Sequence, residues 1–539
     1  MDSDPAVGDY GSPKKKTRRI ESGSETNNAP EIGNDELVYM EQIGGGCYGK
    51  VFKGTCRGKV VAIKKFHKQD FNEAVIREFQ KEVKICTRLL HPNILLFMGA
   101  CTELGSLAIV TELMPKGNLE TLLHDMNHKL SLRLRLRMAQ DCAAGMNWLH
   151  SSIPPILHRD LKPSNLLVDE HYRVKVCDFG LSAIKMTDKL KDKDSIPGTP
   201  LWMAPEVLLG KEIDEKCDVY SFAIVFWEMI TLKEPFPEFQ SYREFRRAIT
   251  RHHVRPPIPE NTAVEIRRLM ELCWHRDPDK RPSFQNVISL LDDAILKVSI
   301  EDKKAREFWT QNFNNREHVS WAAFVPAFGR MLELPPPLNF DHLDWVCAKA
   351  VLAEKEKDTN QTIRDYVVSM DCLGQVIDWY GPLLATPPST MNILDRIRET
   401  LRCKWFFGTL DRVDAETILV AKESGTFLVR TSGTVRSSFT ISKVSKSGKV
   451  NHQRLDYSPG KGFSIALQTN RGKRTIEGNL ESLPLFIRKI SEPLYLTQPC
   501  EGSPYTHIFE RKPGEVRQVE GYLQPEYDED EDIDDSFGF

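Results

Sequence analysis

The 539-residue sequence lacks both a long apolar run and a paired-cysteine motif, and each absence excludes a class of protein. The longest apolar-rich run, residues 219–230, contains Ser221 and Glu228 and is too short to span a bilayer, so it predicts a buried core helix. None of the twelve cysteines forms a Cys-x-x-Cys pair, which argues against a zinc site or a disulfide scaffold and favours a reducing compartment. The net charge of −3 gives no bias toward nucleic acid, and the polar amino terminus argues against a signal peptide.

The sequence does contain a dense group of polar side chains within residues 156–180 (ILHRDLKPSNLLVDEHYRVKVCDFG). Asp160 is followed by Lys162 and Asn165, and Asp178 comes thirteen residues after Asn165. Two short apolar runs separated by a turn predict a hairpin that brings the two carboxylates and the amide into one cleft. A proton acceptor, oxygen ligands for Mg²⁺ and a nearby cation are what transfer of a phosphoryl group from ATP requires.

A glycine-rich run at residues 44–49 (GGGCYG) lies between two strand-like runs. Glycine lets a backbone approach phosphates closely, although the run alone is equally compatible with a plain hairpin. Lys64 ends the next strand-like run, where it would hold the α and β phosphates of ATP. The helical run 74–90 offers Glu82 as its ion-pair partner, with Glu78 as the alternative.

The glycine loop, the lysine and the His-Arg-Asp, Asp-Phe-Gly and Ala-Pro-Glu motifs, in this order, resemble the protein kinases. The resemblance implies a bilobal kinase domain over residues 37–298. Within it, Asp160 would be the catalytic base and Lys162 would neutralise the γ-phosphate, while Asn165 and Asp178 would hold Mg²⁺. The ATP site that it implies consists of Ile43, Gly44, Gly46, Gly49, Val51, Ala62, Lys64, Glu82, Thr111 and Leu113.

The kinase group is indicated by a mixture of motifs. Lys162 and Thr199 are typical of serine/threonine kinases, whereas residues 202–206 (WMAPE) and 218–222 (DVYSF) look like tyrosine kinases. The mixture resembles the tyrosine-kinase-like group.

The family resemblance also implies how the domain is regulated. Arg159 precedes the catalytic aspartate, and such an arginine can bind a phosphorylated activation loop. Thr187 and Ser195 are the candidate phosphorylation sites in that loop. Arg281 is where the family places the buried partner of Glu206.

Residues 299–400 have aromatic side chains at helical spacing, which predicts apolar helix faces. The runs 307–309 (EFW) and 319–321 (VSW) resemble the EF-hand-like module before the SH2 domain of Cbl proteins, with a helical spacer as the alternative. Residues 358–365 lack the glycine and the terminal glutamate of a calcium loop, so we expect no tight calcium site. No cysteine/histidine cluster of a zinc-dependent ubiquitin ligase is present.

Residues 405–497 resemble an SH2 domain, which implies a central antiparallel sheet flanked by two helices. Arg430 ends the apolar run Phe-Leu-Val-Arg, and a buried guanidinium needs an anion. A phosphate accepts the planar fork of arginine through two hydrogen bonds, whereas a fixed internal salt bridge is the alternative role for Arg430. Gln453 replaces the usual second aromatic residue of the ligand site. The phosphotyrosine pocket that the resemblance implies consists of Arg412, Arg430, Ser432, His452 and Arg454.

The sequence thus predicts a multidomain α+β protein with disordered ends at residues 1–36 and 511–539, the latter containing Tyr522 and Tyr527 as candidate phosphosites. The resemblances imply a cytoplasmic, ATP- and Mg²⁺-dependent kinase that acts mainly on serine and threonine in protein substrates, with tyrosine left open as an acceptor. Its SH2 domain would bring it to phosphotyrosine-containing proteins, including those at the inner face of the plasma membrane, where it would be peripheral. A pseudokinase that serves only as a phosphotyrosine adaptor is the alternative.

Overall fold

The computed structural model contains two compact units that divide after Ala294. Helices and strands occur in both units, which confirms the predicted multidomain α+β class. Among the described helices, none has the length and apolar character needed to cross a membrane. The structure describes residues 29–45, 49–66, 73–103, 105–125, 130–179, 183–184, 190–191, 200–335, 342–357, 363–384, 391–431, 438–458, 461–469, 472–478 and 482–510.

The first unit begins with a five-stranded antiparallel sheet in the order β1-β2-β3-β5-β4 and one helix packed on it. Val61 and Ile63 of the third strand are buried on one face, and Phe79 of the helix is buried on the other. The alternation turns Lys65 toward the ring of Tyr39, 5.2 Å away, and leaves its neighbour Lys64 on the opposite face. The elements are β1 (Leu37–Gly45), β2 (Gly49–Cys56), β3 (Lys59–Phe66), α1 (Glu73–Cys86), β4 (Phe97–Cys101) and β5 (Ala108–Glu112).

The rest of the first unit is mostly helical. Its elements are α2 (Leu119–His124), α3 (Leu132–His150), β6 (Ile156–Leu157), β7 (Leu166–Val168), β8 (Val174–Val176), β9 (Ala183–Ile184), β10 (Leu190–Lys191), α4 (Pro205–Leu208), β11 (Glu212–Ile213), α5 (Lys216–Thr231), α6 (Tyr242–Arg251), α7 (Val264–Cys273) and α8 (Phe284–Ser299). Helix α5 contains the apolar-rich run 219–230 and is buried along almost its whole length, as that run predicts. Strands β7 and β8 form the predicted hairpin, in which Leu166 pairs with Val176.

The segment before β1 differs from the expected disorder. Ile32 is buried, and its N–H donates to the carbonyl of Ala100 at 3.0 Å. The Glu36 carboxylate pairs with Arg57 at 2.5 Å. Ile32 is an apolar residue in an otherwise polar segment, and it completes the core of the sheet. Residues 29–36 are therefore ordered, contrary to the prediction.

The second unit begins with a helix–strand–helix segment followed by a helix–strand–strand–helix segment. The strand of the first segment pairs antiparallel with the second strand of the other, with Val319 opposite Val368, and this pairing is not expected of a purely helical spacer. Trp309, Phe324 and Phe328 are buried between the helices. Among the described residues no group of three or more histidine, cysteine, aspartate or glutamate side chains could hold a metal ion, and residues 358–362 lie outside them. The elements are α9 (Lys303–Phe313), β12 (His318–Ser320), α10 (Trp321–Met331), α11 (Leu343–Leu352), β13 (Glu354–Lys357), β14 (Ile363–Ser369), α12 (Met370–Tyr380) and α13 (Ile393–Leu401).

The remainder of the second unit is a sheet flanked by helices α14 and α15, as the SH2 resemblance implies. The order is β15-β16-β17-β18-β19-β20, antiparallel from β16 onward, with β21 also paired to β16. The elements are β15 (Phe406–Thr409), α14 (Arg412–Leu419), β16 (Thr426–Thr431), β17 (Ser438–Val444), β18 (Val450–Ser458), β19 (Gly462–Thr469), β20 (Gly472–Gly478), α15 (Leu483–Ser491), β21 (Gln498–Pro499) and α16 (Thr506–Phe509).

The two parts of the second unit pack on each other. The Ser482 hydroxyl donates to Glu399 at 3.2 Å, and the rings of Tyr380 and Phe406 lie 6.5 Å apart. The Tyr505 ring stacks on Phe406 at 5.8 Å, so the packed fold extends beyond the expected boundary at residue 497. Residues 299–400 are therefore joined to the SH2 fold, rather than being a separate spacer.

Candidate functional sites

Lys64 is the central cation of the first candidate site. Its ammonium lies 2.7 Å from Glu82 of α1 and 3.1 Å from Asp178, while the side chain of the alternative partner Glu78 lies outside the described residues. Burial by itself lowers the pKa of Lys64, but the two carboxylates outweigh it and raise the pKa above that of ordinary lysine. Burial raises the pKa of Asp178, but the charge of Lys64 outweighs it and holds this pKa below the usual range.

Asp160, Lys162 and Asn165 lie together in the loop before β7. The Lys162 ammonium is 3.0 Å from Asp160 Oδ2. The Asn165 amide donates to the backbone carbonyl of Asp160 at 2.8 Å and to its carboxylate at 3.0 Å. The backbone carbonyl of Asn165 accepts from the N–H of Cys177 at 3.0 Å, which brings the segment before Asp178 beside this loop. The structure thus brings together Asp160, Asn165 and Asp178, the three residues that the sequence predicts in one cleft, and places Lys162 beside them.

Asp218 holds the backbone of this loop, a role that the sequence analysis missed. Its buried carboxylate accepts the N–H groups of His158 and Arg159, both at 2.9 Å, and also contacts His150 at 2.8 Å. Arg159 and Asp178 have φ values of 68° and 63°, in the left-handed region that side-chain-bearing residues rarely adopt. Asp218 stabilises this conformation at Arg159, and no local sequence pattern indicates this contact.

Most of the predicted ATP-site residues lie on β1, β2, β3 and β5, the strands around Lys64. Gly44 pairs with Val51 across β1 and β2, and Ala62 pairs with Thr111 across β3 and β5. A side chain at Gly49 would come within 2.4 Å of the backbone of β3, so this position requires glycine. Of the remaining residues, Ile43 lies within β1, Leu113 directly follows β5, and Gly46 lies outside the described residues.

The activation segment is described at its two ends. Phe179 is buried, with its ring 5.7 Å from that of His158. At the other end, Glu206 accepts two hydrogen bonds from Arg281, at 2.5 and 3.0 Å, in the buried pair that the sequence predicts. Thr187 and Ser195 lie outside the described residues.

Arg430 is the central cation of the second candidate site. It is 9% exposed in β16, and one end of its guanidinium donates to the carbonyl of Leu410 at 2.9 Å. Its buried Nε has no hydrogen-bond partner among the described residues, and no ion pair to it is found there. Burial lowers the pKa of Arg430, which the nearby carboxylate of Asp411 partly opposes. The alternative of a fixed internal salt bridge is therefore not supported by the described residues.

The other predicted pocket residues surround Arg430. Arg430, Thr440 and Arg454 lie abreast on β16, β17 and β18, so they share one face of the sheet. His452 is two residues from Arg454 and therefore lies on the same face. Arg412 is at the start of α14, and Ser432 lies outside the described residues.

Comparison with known proteins identifies both regions. The sequence model of the family "Protein tyrosine and serine/threonine kinase" matches residues 37–291, and that of the SH2 domain matches residues 405–473. "Dual specificity protein kinase shkC" of Dictyostelium discoideum is 47% identical over 437 residues, covering 80% of this chain and 86% of that protein. "Dual specificity protein kinase shkA" of the same organism is 39% identical over 525 residues, covering 94% of this chain and 95% of that protein. "Serine/threonine-protein kinase CTR1" of Arabidopsis thaliana is 46% identical over 262 residues, covering 48% of this chain and 32% of that protein.

These matches confirm the resemblances to protein kinases and to SH2 domains and favour a kinase over an adaptor with an inactive kinase fold. A kinase domain implies the use of ATP with a divalent metal and the modification of protein substrates. An SH2 domain implies partners that contain phosphotyrosine. The chain belongs to the family of protein kinases in which the kinase domain is followed by an SH2 domain.

Proposed function

We propose that this kinase transfers the γ-phosphate of ATP mainly to serine and threonine, with tyrosine as a second acceptor, and that Asp160 is its catalytic base. The observation that supports this most strongly is the contact of Lys64 with both Glu82 and Asp178. In protein kinases, catalysis requires a lysine–glutamate ion pair of this kind and a metal-binding aspartate to be in place at the same time.

The chemistry follows from the residues around Asp160. Its carboxylate accepts the proton of the substrate hydroxyl while the hydroxyl oxygen bonds to the γ-phosphorus and the bond to the departing ADP oxygen breaks. Lys162, 3.0 Å from Asp160, stabilises the negative charge that develops on the phosphoryl oxygens. Asn165 and Asp178 offer amide and carboxylate oxygens, which are the donors that Mg²⁺ prefers, and a magnesium ion held there would neutralise phosphate charge.

Two lines of support bear on the acceptor. Lys162 is the residue that serine/threonine kinases have at this position, and the relatives shkC and shkA are named dual specificity kinases. Phosphoamino-acid analysis of a degenerate peptide library treated with the full-length protein and labelled ATP tests the proposal. Phosphoserine and phosphothreonine should predominate, with a smaller phosphotyrosine fraction, and labelled tyrosine alone would contradict it.

The catalytic assignment is tested in the same assay with Asp160→Asn. The amide keeps the shape of the side chain but cannot accept the proton, so turnover should fall by about 10²–10⁴-fold while ATP binding persists. Asp293→Asn, at an exposed position of α8, is the matched control. A near wild-type rate in Asp160→Asn would exclude Asp160 as the base.

We also propose that the protein works in the cytoplasm and that Arg430 recruits it to phosphotyrosine sites at the inner face of the plasma membrane. Arg430→Leu should remove the protein from that location and leave activity on a short free peptide unchanged. Unchanged location would refute recruitment. In the competing arrangement, phosphorylated Tyr522 or Tyr527, both outside the described residues, binds the same pocket within the chain. Tyr522→Phe/Tyr527→Phe and Arg430→Leu would then change basal activity in the same direction.

We propose that activation requires phosphorylation within residues 181–199. The guanidinium of Arg159 would bind the resulting phosphate. The support is the position of Arg159 beside Asp160 and its anchoring by Asp218. A Thr187→Ala/Ser195→Ala variant, freed of other loop phosphates by phosphatase, should have little activity. Full activity in that variant would show that neither site is required.

A further inference from the structure

A carboxylate lies inside the group of basic residues on the SH2 sheet. Glu416 Oε1 is 3.0 Å from Arg412 Nε and 2.9 Å from His452 Nε2, so one oxygen contacts both groups. An ionised carboxylate can only accept hydrogen bonds, which makes Nε2 of His452 the donor. The other ring nitrogen of His452 is 2.9 Å from the hydroxyl of Ser442, which fixes the orientation of the ring.

The backbone explains why these groups meet. Arg412 and Glu416 are one turn apart on α14, where side chains four residues apart are neighbours. The buried Ala415 and Leu419 of the same helix pack in one apolar cluster with Leu428 of β16. This packing holds the helix over the face of the sheet that carries His452.

The charges around Glu416 make its contacts favourable in the free domain. The hydrogen bond from His452, followed by that from Arg412, lowers the pKa of Glu416, so it is ionised at neutral pH. Two other charged groups belong to this cluster: Arg430, which interacts electrostatically with Glu416 and Arg412, and Asp411, which interacts with Arg430. Arg412 and His452 therefore already have an anion, whereas Arg430 contacts only a backbone carbonyl among the described residues.

We propose that Glu416 is a resident anion of the phosphotyrosine pocket, which a phosphotyrosine must displace from Arg412 and His452, so that Glu416 limits the affinity of the SH2 domain. The inference rests on the proposed role of these basic residues in binding phosphotyrosine. A phosphate carries about −1.5 to −2 charges at neutral pH and is repelled by a carboxylate that shares its donors. Arg430, which Glu416 does not neutralise by contact, provides the first anchor for the phosphate.

The test measures binding of the full-length protein to the phosphotyrosyl peptide that the wild-type chain selects from a degenerate library, by fluorescence anisotropy without ATP. Glu416→Gln keeps the size of the side chain and removes its charge. Because Glu416 is 42% exposed, solvent screens the effect, and we expect the peptide to bind about three- to tenfold more tightly. Glu416→Asp should give a smaller gain, because the shorter side chain withdraws its carboxylate from one of the two donors. Glu423→Gln, an exposed charge change just after α14, is the matched control and should leave affinity unchanged.

The variants test two claims separately: that the basic residues around Arg430 bind phosphotyrosine, and that Glu416 limits the affinity. Arg430→Leu should reduce affinity by at least about 30-fold, and wild-type affinity in that variant would show that the pocket is elsewhere, which would refute both claims. Loss of binding in Arg430→Leu together with unchanged or weaker binding in Glu416→Gln would overturn the role of Glu416 alone. An equal gain in Glu423→Gln would overturn it as well, since net charge rather than the contact would then explain the result. Misfolding cannot imitate the expected result, because a disrupted domain binds less tightly.

Discussion

Lys64 and Arg430 are the central cations of the two sites, and the protein neutralises them differently. Lys64 is in contact with two carboxylates, those of Glu82 and Asp178. Arg430 is also buried, yet the described residues offer it one backbone carbonyl and leave its Nε without a hydrogen-bond partner. The difference corresponds to the two tasks of the sites.

A catalytic cation must hold its position before the reaction begins, because a preorganised charge needs no rearrangement in the transition state. The carboxylates that position Lys64 are therefore part of the protein. A binding cation gains most when its partner is the ligand, because an unpaired buried charge is costly until an anion arrives. Under the proposed roles, the protein itself assembles the kinase site, whereas the ligand completes the phosphotyrosine pocket.

The largest expected effect is that of Lys64→Met. Two carboxylates would lose their shared cation, so both the melting temperature and the rate should fall, the rate by about 10²–10³-fold as for removal of one electrostatic contact in other active sites. Lys65→Met is the matched control, because the neighbouring ammonium lies on the opposite face over the ring of Tyr39. A Lys64→Met protein with unchanged melting and rate would end the claim that this cation is preassembled for catalysis.

Arg430→Leu should have the opposite effect on stability. Leucine removes a buried cation that has no ion pair among the described residues, so the free protein should melt no lower than the wild type. Binding of the phosphotyrosyl peptide should nevertheless fall by at least about 30-fold. Thermal melting with and without the peptide checks both parts. A clear loss of stability in the free protein would indicate that Arg430 has a structural partner, and the contrast with Lys64 would disappear.

The sequence predicts the elements that depend on local order and misses those that depend on distant contacts. The motifs around Asp160 and Asp178 are close in sequence, and the hairpin between them follows from apolar alternation, so this cleft could be predicted. The anchoring of Arg159 by Asp218 joins residues 59 positions apart, and no local pattern indicates it. Ile32 lies in the segment predicted to be disordered and Tyr505 lies beyond the predicted end of the SH2 domain, because a single apolar side chain in a polar run gives no periodic signal.

Glu416 is a different kind of omission. Its spacing of four residues from Arg412 is a readable sign of a helical ion pair, but the family resemblance directs attention to the basic residues alone. The spacing by itself indicates an anion beside Arg412. Its second contact, with His452, depends on the packing of α14 on the sheet and could not be predicted from the sequence.

Glu228 of α5 provides an intermediate case between a compensated and an uncompensated charge. Its buried carboxylate contacts His124 at 3.0 Å and the indole N–H of Trp202 at 3.3 Å. Burial is the main cause that raises the pKa of Glu228, from 4.5 to about 7, and these two contacts only partly oppose it. Because the folded-state pKa lies above the unfolded one, the stabilisation is complete below about pH 4.5 and is lost as the pH rises through about 7.

Glu228→Gln should remove this pH dependence. The stability of the variant relative to wild type should rise by about 1–2 kcal/mol between pH 5 and 8, because only the wild type must ionise a buried carboxyl group over that range. Urea unfolding at several pH values measures it, with Glu271→Gln, an exposed glutamate of α7, as the control. Parallel stability curves for wild type and Glu228→Gln would mean that His124 compensates Glu228 as fully as Glu82 and Asp178 compensate Lys64. If the curves diverge as expected, the contact with His124 offsets the burial of Glu228 only in part. Ionisation of Glu228 then opposes folding near neutral pH.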